Sequence, residues 1–198
     1  MIELMKVEGK SEEEVLNGLD LNEIHYVIEE LPAKLFKSKK FEMTYVMKKD
    51  VKEAIKTFIK NIEVSLKTKI NVEMRLSDNI YNVGLIAEDN ARLIGRDGKT
   101  LNSIQLLLQQ MVSNQVGMDI RVNVDASNYK SNKQNRLEWQ IKRIAKEVSK
   151  TKIEAKLDPM NSYERRIVHS VVGEFKELET ESFGETPDRY VVIRYKED

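Results

Sequence analysis

The feature that most constrains the fold of this chain is the Gly-x-x-Gly element Gly95-Arg96-Asp97-Gly98. Two glycines at this spacing permit backbone angles that other residues avoid. The element stands between two segments with apolar residues at helical spacing, a short one at residues 90–94 and a longer one that ends at Gly117. The sequence therefore predicts two helices that meet at a tight backbone turn. The apolar stripe predicted for the second helix consists of Leu101, Ile104, Leu107, Leu108 and Met111.

The segments around this turn predict a small mixed unit. Residues 51–66 carry apolar side chains at helical spacing. Residues 70–76 and 80–86 alternate between apolar and polar side chains, as two strands joined by the turn Ser77-Asp78-Asn79 would. Residues 118–124 alternate as a last strand. The predicted order is helix, strand, strand, helix, Gly-x-x-Gly, helix, strand.

The start of the helix after the turn has the chemistry of an anion site. The first N–H groups of a helix have no partner within it, and they lie at the positive end of the helix dipole. Arg96 and Lys99 add full positive charges, which outnumber the negative charge of Asp97. A sugar-phosphate backbone fits such a site. The alternative is a turn that joins two helices and has no binding role, because two glycines at this spacing are also found in such turns.

Residues 94–101, Ile-Gly-Arg-Asp-Gly-Lys-Thr-Leu, in this order of elements resemble a KH domain of the bacterial type. The resemblance implies a type II-like KH fold with a groove for four nucleotides of RNA or single-stranded DNA. Leu85, Ile86, Ile94 and Ile104 are candidates for the lining of that groove, or are simply core. The resemblance assigns the contacts with the nucleic-acid backbone to Gly95, Arg96, Asp97, Gly98, Lys99 and Thr100.

A second candidate site lies on a later predicted helix, which opens with Asn161 and Glu164 in a capping pattern. Arg165 and His169 are four residues apart and so share one helix face. Arg165 can offer a forked set of donors to a phosphate and His169 one donor more, while Arg166 can serve a neighbouring phosphate. The alternative is structural: a partly buried, hydrogen-bonded His169 and a surface ion pair between Arg165 and Glu164 or Glu181.

Residues 158–169, together with the closing segments 179–184 and 188–193, resemble the domain named for its Arg-x-x-x-His, which is thought to bind single-stranded nucleic acid. A KH domain followed by this domain resembles the bacterial Jag (SpoIIIJ-associated protein) family. The resemblance implies an α+β protein of three small domains. These are a Jag-like N-terminal domain at residues 1–49, the KH domain at 50–127, and the Arg-x-x-x-His domain with a leading basic helix at 128–198.

The resemblance also implies a role and partners. The role is that of an RNA-binding regulator of bacterial cell division, elongation and envelope growth. The implied partners are a small KH-domain protein or a second copy of the chain, and a membrane-protein insertase. The alternative is a protein–protein adaptor that uses the KH surface for dimerisation. Residues 33–40 depart from the Gly-rich loop expected in the Jag-like domain, which puts any role of that loop in question.

The charge of the chain is unevenly distributed. The formal net charge is zero, yet residues 127–156 hold nine Lys or Arg against three Asp or Glu. Local field, more than net charge, attracts phosphate. The predicted helix at residues 130–150 therefore carries either a binding face or an ordinary solvated one. Trp139 on this helix is expected to pack against a neighbouring domain, with base stacking as the alternative.

The residue inventory argues against catalysis and against membrane insertion. The chain has no Cys and only two His, which fall in different predicted domains. It shows no hydrolase, metalloprotease or Walker motif, so neither an enzyme nor a metal or cofactor site is expected. No apolar run approaches the roughly 20 residues of a membrane span. We expect a soluble, cytoplasmic protein.

Overall fold

The computed structural model describes residues 2–32 and 39–196. The chain divides into two compact units, Met1–Ser127 and Asn128–Asp198. Both units combine small sheets with helices, which confirms the predicted α+β class. The division into three domains stays a prediction. Residues 33–38, which make up most of the segment that departs from the Jag pattern, lie outside the described residues.

The first part of unit 1 is a three-stranded antiparallel sheet with the order β1-β3-β2. A short helix begins after Ser11, whose Oγ accepts a hydrogen bond from the Glu14 backbone N–H at 3.2 Å, as the acid-rich start of this segment predicts. Val15 and Met43 form the centre of this layer and are fully buried. The elements are β1 (Met5–Gly9), α1 (Glu12–Leu16), β2 (Ile24–Leu31) and β3 (Lys40–Met47).

The second part of unit 1 has the predicted KH order of elements. Its sheet has the order β4-β5-β6, with β4 antiparallel and β6 parallel to the central strand. Alternate side chains of the central strand are buried beneath the helices, as the period of two requires. The elements are α2 (Lys48–Leu66), β4 (Ile70–Ser77), β5 (Ile80–Ala87), α3 (Asn90–Ile94), a 3₁₀ turn (Arg96–Gly98), α4 (Lys99–Val116) and β6 (Arg121–Ala126).

The apolar stripe of α4 differs from the prediction at one residue. Leu107 is 51% exposed, whereas its neighbour Leu108 is fully buried. Each residue turns a helix by about 100°, so a core that takes Leu101, Ile104 and Leu108 cannot also take Leu107. Val112 and Val116 complete the buried stripe. The prediction that Leu107 belongs to the core was therefore wrong.

A buried polar contact joins the two sheets of unit 1. The Nε2 atom of His25 on β2 lies 2.8 Å from the Tyr81 hydroxyl on β5, and the two rings meet edge to face. Burial, followed by the charge of Lys48, lowers the pKa of His25. Burial also raises the pKa of Tyr81. Both groups are therefore neutral near pH 7. The Tyr81 hydroxyl also donates to the Lys48 carbonyl at 3.4 Å, and in that arrangement it accepts from the Nε2–H of His25.

In unit 2, two helices pack on a three-stranded antiparallel sheet with the strand order β7-β9-β8. Its core joins Ile141 and Ala145 of the first helix to Val168 of the second and Ile193 of the sheet. The segment 153–157 alternates as a strand would, but only two of its residues, Ala155 and Lys156, form one in the structure. The elements are α5 (Tyr129–Thr151), β7 (Ala155–Lys156), α6 (Ser162–Val172), β8 (Leu178–Phe183) and β9 (Tyr190–Tyr195).

Two negative findings concern residues 2–32 and 39–196. No helix in these ranges has the length and apolar content needed to cross a bilayer. No three His, Asp or Glu side chains in the same ranges come together as a metal site would need.

Candidate nucleic-acid interface

The backbone between α3 and α4 turns through angles that L-residues seldom adopt. Gly95 has φ 71°, Asp97 has φ 56° and Gly98 has φ 82°. The Gly95 N–H donates to the Ala91 carbonyl at 2.8 Å and so ends α3, and the Gly98 N–H donates to the Gly95 carbonyl at 3.3 Å. One helix therefore ends and the next begins within four residues.

Gly95 is also required by a close contact. A Cβ atom at this position would collide with Thr100 Oγ1 and would lie 2.8 Å from Thr100 Cβ and 3.0 Å from the Thr100 backbone nitrogen. The first turn of α4 thus packs directly against the Gly95 backbone. Thr100, predicted as a contact with nucleic acid, has this structural role as well.

The first turn of α4 has the features of an anion site. Gly98 is the N-cap residue of the helix and makes no side-chain hydrogen bond to its first turn. The Lys99 N–H donates to the Arg96 carbonyl, and the following N–H groups of this 18-residue helix lie at the positive end of its dipole. Arg96, Asp97 and Lys99 are exposed around it, with a net formal charge of +1. Of the other three predicted loop residues, Gly95 and Thr100 are half-buried and Gly98 is buried.

The proposed lining of the KH groove is mostly core. Leu85 and Ile104 are buried, at 0% and 3% exposure, which is the simpler of the two interpretations offered by the sequence. Ile86 points to the opposite face of β5 and is 49% exposed. Ile94 is half-buried beside the turn.

In unit 2, the start of α6 is fixed by the predicted capping pattern. The Asn161 side chain accepts from the Glu164 N–H at 3.0 Å, and the Glu164 carboxylate accepts from the Asn161 N–H at 3.2 Å. This reciprocal pair sets the first turn of α6, from which Arg165 and Arg166 project. Arg166 is exposed, and Arg165 is half-buried.

His169 is held by two hydroxyl groups of β8. Its Nδ1 lies 2.7 Å from Thr180 Oγ1, and its Nε2 lies 3.1 Å from Ser182 Oγ. Burial, followed by the positive charge of Arg165, lowers the pKa of His169. In the neutral ring one nitrogen donates to a hydroxyl oxygen and the other accepts from a hydroxyl proton. The hydroxyl that accepts from the ring keeps its own proton for another acceptor.

Thr180 and Ser182 are candidate site residues that the sequence argument missed. They are two residues apart on a strand and so share one face, which is a visible signal. The sequence does not show that this face is the one that meets His169. His169 orients both hydroxyl groups, and the one that accepts from the ring retains a proton to donate.

Arg165 has an unsatisfied donor. Its Nε is buried and has no hydrogen-bond partner within the part of the chain that the structure describes. Glu181, a candidate partner from the sequence, instead binds Arg194, whose Nη1 lies 3.3 Å from its carboxylate. A buried donor without a partner carries a desolvation penalty of about 1–3 kcal/mol. Such groups are rare in structural roles and more common where a ligand binds.

Comparison with known proteins agrees with this division of motifs. The family model described as KhpA/KhpB, KH domain matches residues 52–125, and the model of the Arg-x-x-x-His domain matches residues 135–195. The RNA-binding protein KhpB of Bacillus subtilis (strain 168) is 30% identical over 164 residues, which are 82% of this chain and 79% of that protein. The chain belongs to the KhpB (Jag) family.

Two other KhpB relatives are longer than the region they share with this chain. The RNA-binding protein KhpB of Clostridium symbiosum is 38% identical over 135 residues, 68% of this chain but 61% of that protein. The KhpB of Streptococcus pneumoniae serotype 2 is 28% identical over 128 residues, 63% of this chain and 39% of that protein. The chain therefore matches less than two thirds of the length of both of these relatives.

We predict that Gly95→Ala destabilises unit 1 more than Gly117→Ala. Gly117 has φ 67° and ψ 13°, a left-handed conformation that costs an L-residue about 1–2 kcal/mol. Gly95 has φ 71° and ψ 179°, a region that essentially only Gly adopts. A Cβ on Gly117 meets nothing within 4 Å, whereas one on Gly95 collides with Thr100. The difference in free energy of unfolding, measured by urea denaturation, therefore reports the larger backbone strain at Gly95 together with the contact with Thr100. Equal losses in the two variants would contradict the tight packing of the turn.

We also predict that His25 and His169 both titrate below pH 6.5, the ordinary value. Because each pKa is lower in the folded state than in the unfolded chain, the folded state favours the neutral ring. The stability that the neutral ring contributes is present above pH 6.5 and is lost as the pH falls through the folded-state pKa. The free energy of unfolding should therefore decrease between about pH 6.5 and 5.5, where few carboxylates titrate. NMR of the ring C–H protons gives both midpoints, with His169→Gln as the assignment control. A midpoint above 6.5 for either ring would contradict the contacts described.

Proposed function

We propose that the protein binds single-stranded nucleic acid, and RNA in particular, through contacts with the sugar-phosphate backbone. The observation that carries the proposal is the start of α4, where a helix without a side-chain cap follows Gly98 and is flanked by exposed Arg96 and Lys99. The KhpB relatives are named as RNA-binding proteins, which supports RNA as the ligand.

The loop is suited to phosphate because its backbone does the binding. Gly95 and Gly98 carry no side chains, so a strand can approach the N–H groups closely. The helix dipole favours negative charge at this end, and Arg96 and Lys99 add charge-assisted hydrogen bonds. Asp97 opposes them, so the loop keeps one net positive charge. We therefore propose modest affinity at this site alone.

The surface of α6 and β8 is the second proposed contact. Arg165 has a donor without an internal partner, and Thr180 and Ser182 carry hydroxyl groups oriented by His169. Guanidinium and hydroxyl donors on one face are common contacts for phosphate oxygens. Arg166 is exposed on the next position of the helix and extends this surface.

A broader role follows from family membership and is part of the proposal. We propose a non-catalytic regulator in the cytoplasm that acts on transcripts for cell division, elongation and envelope growth. A small KH-domain protein, a second copy of the chain and a membrane-protein insertase are the proposed partners. The adaptor role has one observation in its favour, since the adjacent Leu106 and Leu107 of α4 are 60% and 51% exposed.

The proposal predicts that charge reversal at the loop weakens RNA binding. Arg96→Glu combined with Lys99→Glu turns two phosphate contacts into repulsions, so the dissociation constant should rise about tenfold or more. The probe is a labelled single-stranded RNA of about 12 nucleotides, roughly three KH footprints, and the measurement is fluorescence anisotropy.

The matched control is Lys56→Glu combined with Lys60→Glu. These residues are exposed on α2, and their ion pairs with Glu53 and Glu63 are surface pairs of small energetic value. The control makes the same change in net charge away from the loop. Equal affinity loss in the two double variants would contradict a site at the loop, and the absence of any RNA binding by the parent chain would contradict the function.

A further inference from the structure

One exposed face of α5 belongs to neither of the two proposed contact surfaces, the loop between α3 and α4 and the surface of α6 and β8. Six residues of this helix recur at alternating spacings of four and three, which places them in one stripe along the helix. All six are exposed. They are Asn132, Arg136, Trp139, Arg143, Lys146 and Lys150.

The stripe lies opposite the side of α5 that forms the core of unit 2. Ile141, Ala145 and Val148 face that core and are buried. Trp139 is two residues from Ile141 and so points about 200° away from it. Trp139 is 66% exposed, so the core of its own unit leaves most of the ring uncovered.

Trp139 stands among cations on this stripe. The Arg143 guanidinium carbon lies 5.4 Å from the centroid of the Trp139 ring, within the range of a cation–π contact. Arg136 and Arg143 flank the indole one turn to either side, and Lys146 and Lys150 continue the stripe beyond them. From Arg136 to Lys150 the stripe is about 21 Å long, at a rise of about 1.5 Å for each residue.

These four cations differ from others on the same helix. Lys133 and Lys142 lie on the two flanks of α5, between the stripe and the core, and they pair with Glu164 at 2.7 Å and Glu174 at 3.3 Å. Within residues 2–32 and 39–196, no carboxylate forms an ion pair with Arg136, Arg143, Lys146 or Lys150. Glu147 is the exposed acid at the edge of the stripe. The stripe therefore keeps a strong local positive charge.

We infer that this stripe is a further binding surface for single-stranded nucleic acid, on which Trp139 stacks against a base and the four cations contact phosphates. An exposed aromatic ring between cations is the combination that sequence-tolerant strand binding needs, because every base has a face to stack and every nucleotide has a phosphate. The inference rests on the proposed function and adds a third contact surface, formed by a part of the protein outside both motifs.

Nucleic acid suits the stripe better than an anionic membrane does. A helix that lies in a membrane interface buries a broad apolar face. Trp139 is the one large apolar side chain among the six residues of the stripe, and the rest are cations and an amide. The separation of the cations over about 21 Å also matches an extended chain of phosphates more closely than a single anionic group.

The test uses the full chain and the same labelled RNA of about 12 nucleotides. Trp139→Ala should raise the dissociation constant about tenfold, since one stacked base is lost, and Trp139→Tyr should stay within about threefold of the parent. Arg143→Glu should weaken binding, while the matched control Lys176→Glu, an exposed lysine of the same unit off the stripe, should not. Because Trp139 is exposed, far-UV circular dichroism should show all four variants folded.

A second readout is intrinsic fluorescence, because the chain has one Trp. Saturating unlabelled RNA should quench the emission of Trp139. Unchanged emission on addition of RNA, or parent-like affinity in Trp139→Ala, would overturn the inference. A blue shift with phosphatidylglycerol vesicles, without any change on addition of RNA, would overturn it in favour of a membrane surface. If the loop variant loses affinity and Trp139→Ala does not, only this inference fails. If the parent binds no RNA, the proposed function fails with it.

Discussion

The positive φ angles of the turn between α3 and α4 are the constraint on which the KH part of the protein depends. Gly95, Asp97 and Gly98 all adopt them, and the turn is fixed from both sides because Leu93 and Leu101 are buried. The same backbone places the positive end of the α4 dipole beside the exposed Arg96 and Lys99. The geometry that joins the two helices thus also positions the proposed phosphate site.

The chain has a net charge of zero, but its positive charges are unevenly distributed over the faces of α5. On α5, Lys133 and Lys142 on the two flanks of the helix form ion pairs with Glu164 and Glu174. The four cations of the exposed stripe form no ion pair within the described part of the chain. The acids that balance the total are largely outside this helix. A surface for phosphate therefore arises from the placement of charge on the helix faces, although the whole chain is neutral.

The sequence predicted the order of elements well because its signals are local. Ser11, Asn161 and Gly117 mark helix ends through their own hydrogen bonds or backbone angles. The loop residues of the candidate site came from a motif of the same local kind. The hydroxyl partners of His169 lie 11 and 13 residues away, on a strand whose packing face is set by the tertiary fold. The exposure of Trp139 could have been predicted, since its position opposite the core residues of α5 follows from spacing alone.

Contact with phosphates is the central claim, and the salt dependence of binding tests it most directly. The association constant of the full chain for a single-stranded RNA is measured by anisotropy over a series of KCl concentrations. Each phosphate contact in a single strand contributes roughly −0.7 to the slope of log K against log [KCl], so the account predicts a straight line with a slope of about −2 or steeper. A slope near zero would mean that binding releases no counterions, which would contradict the account.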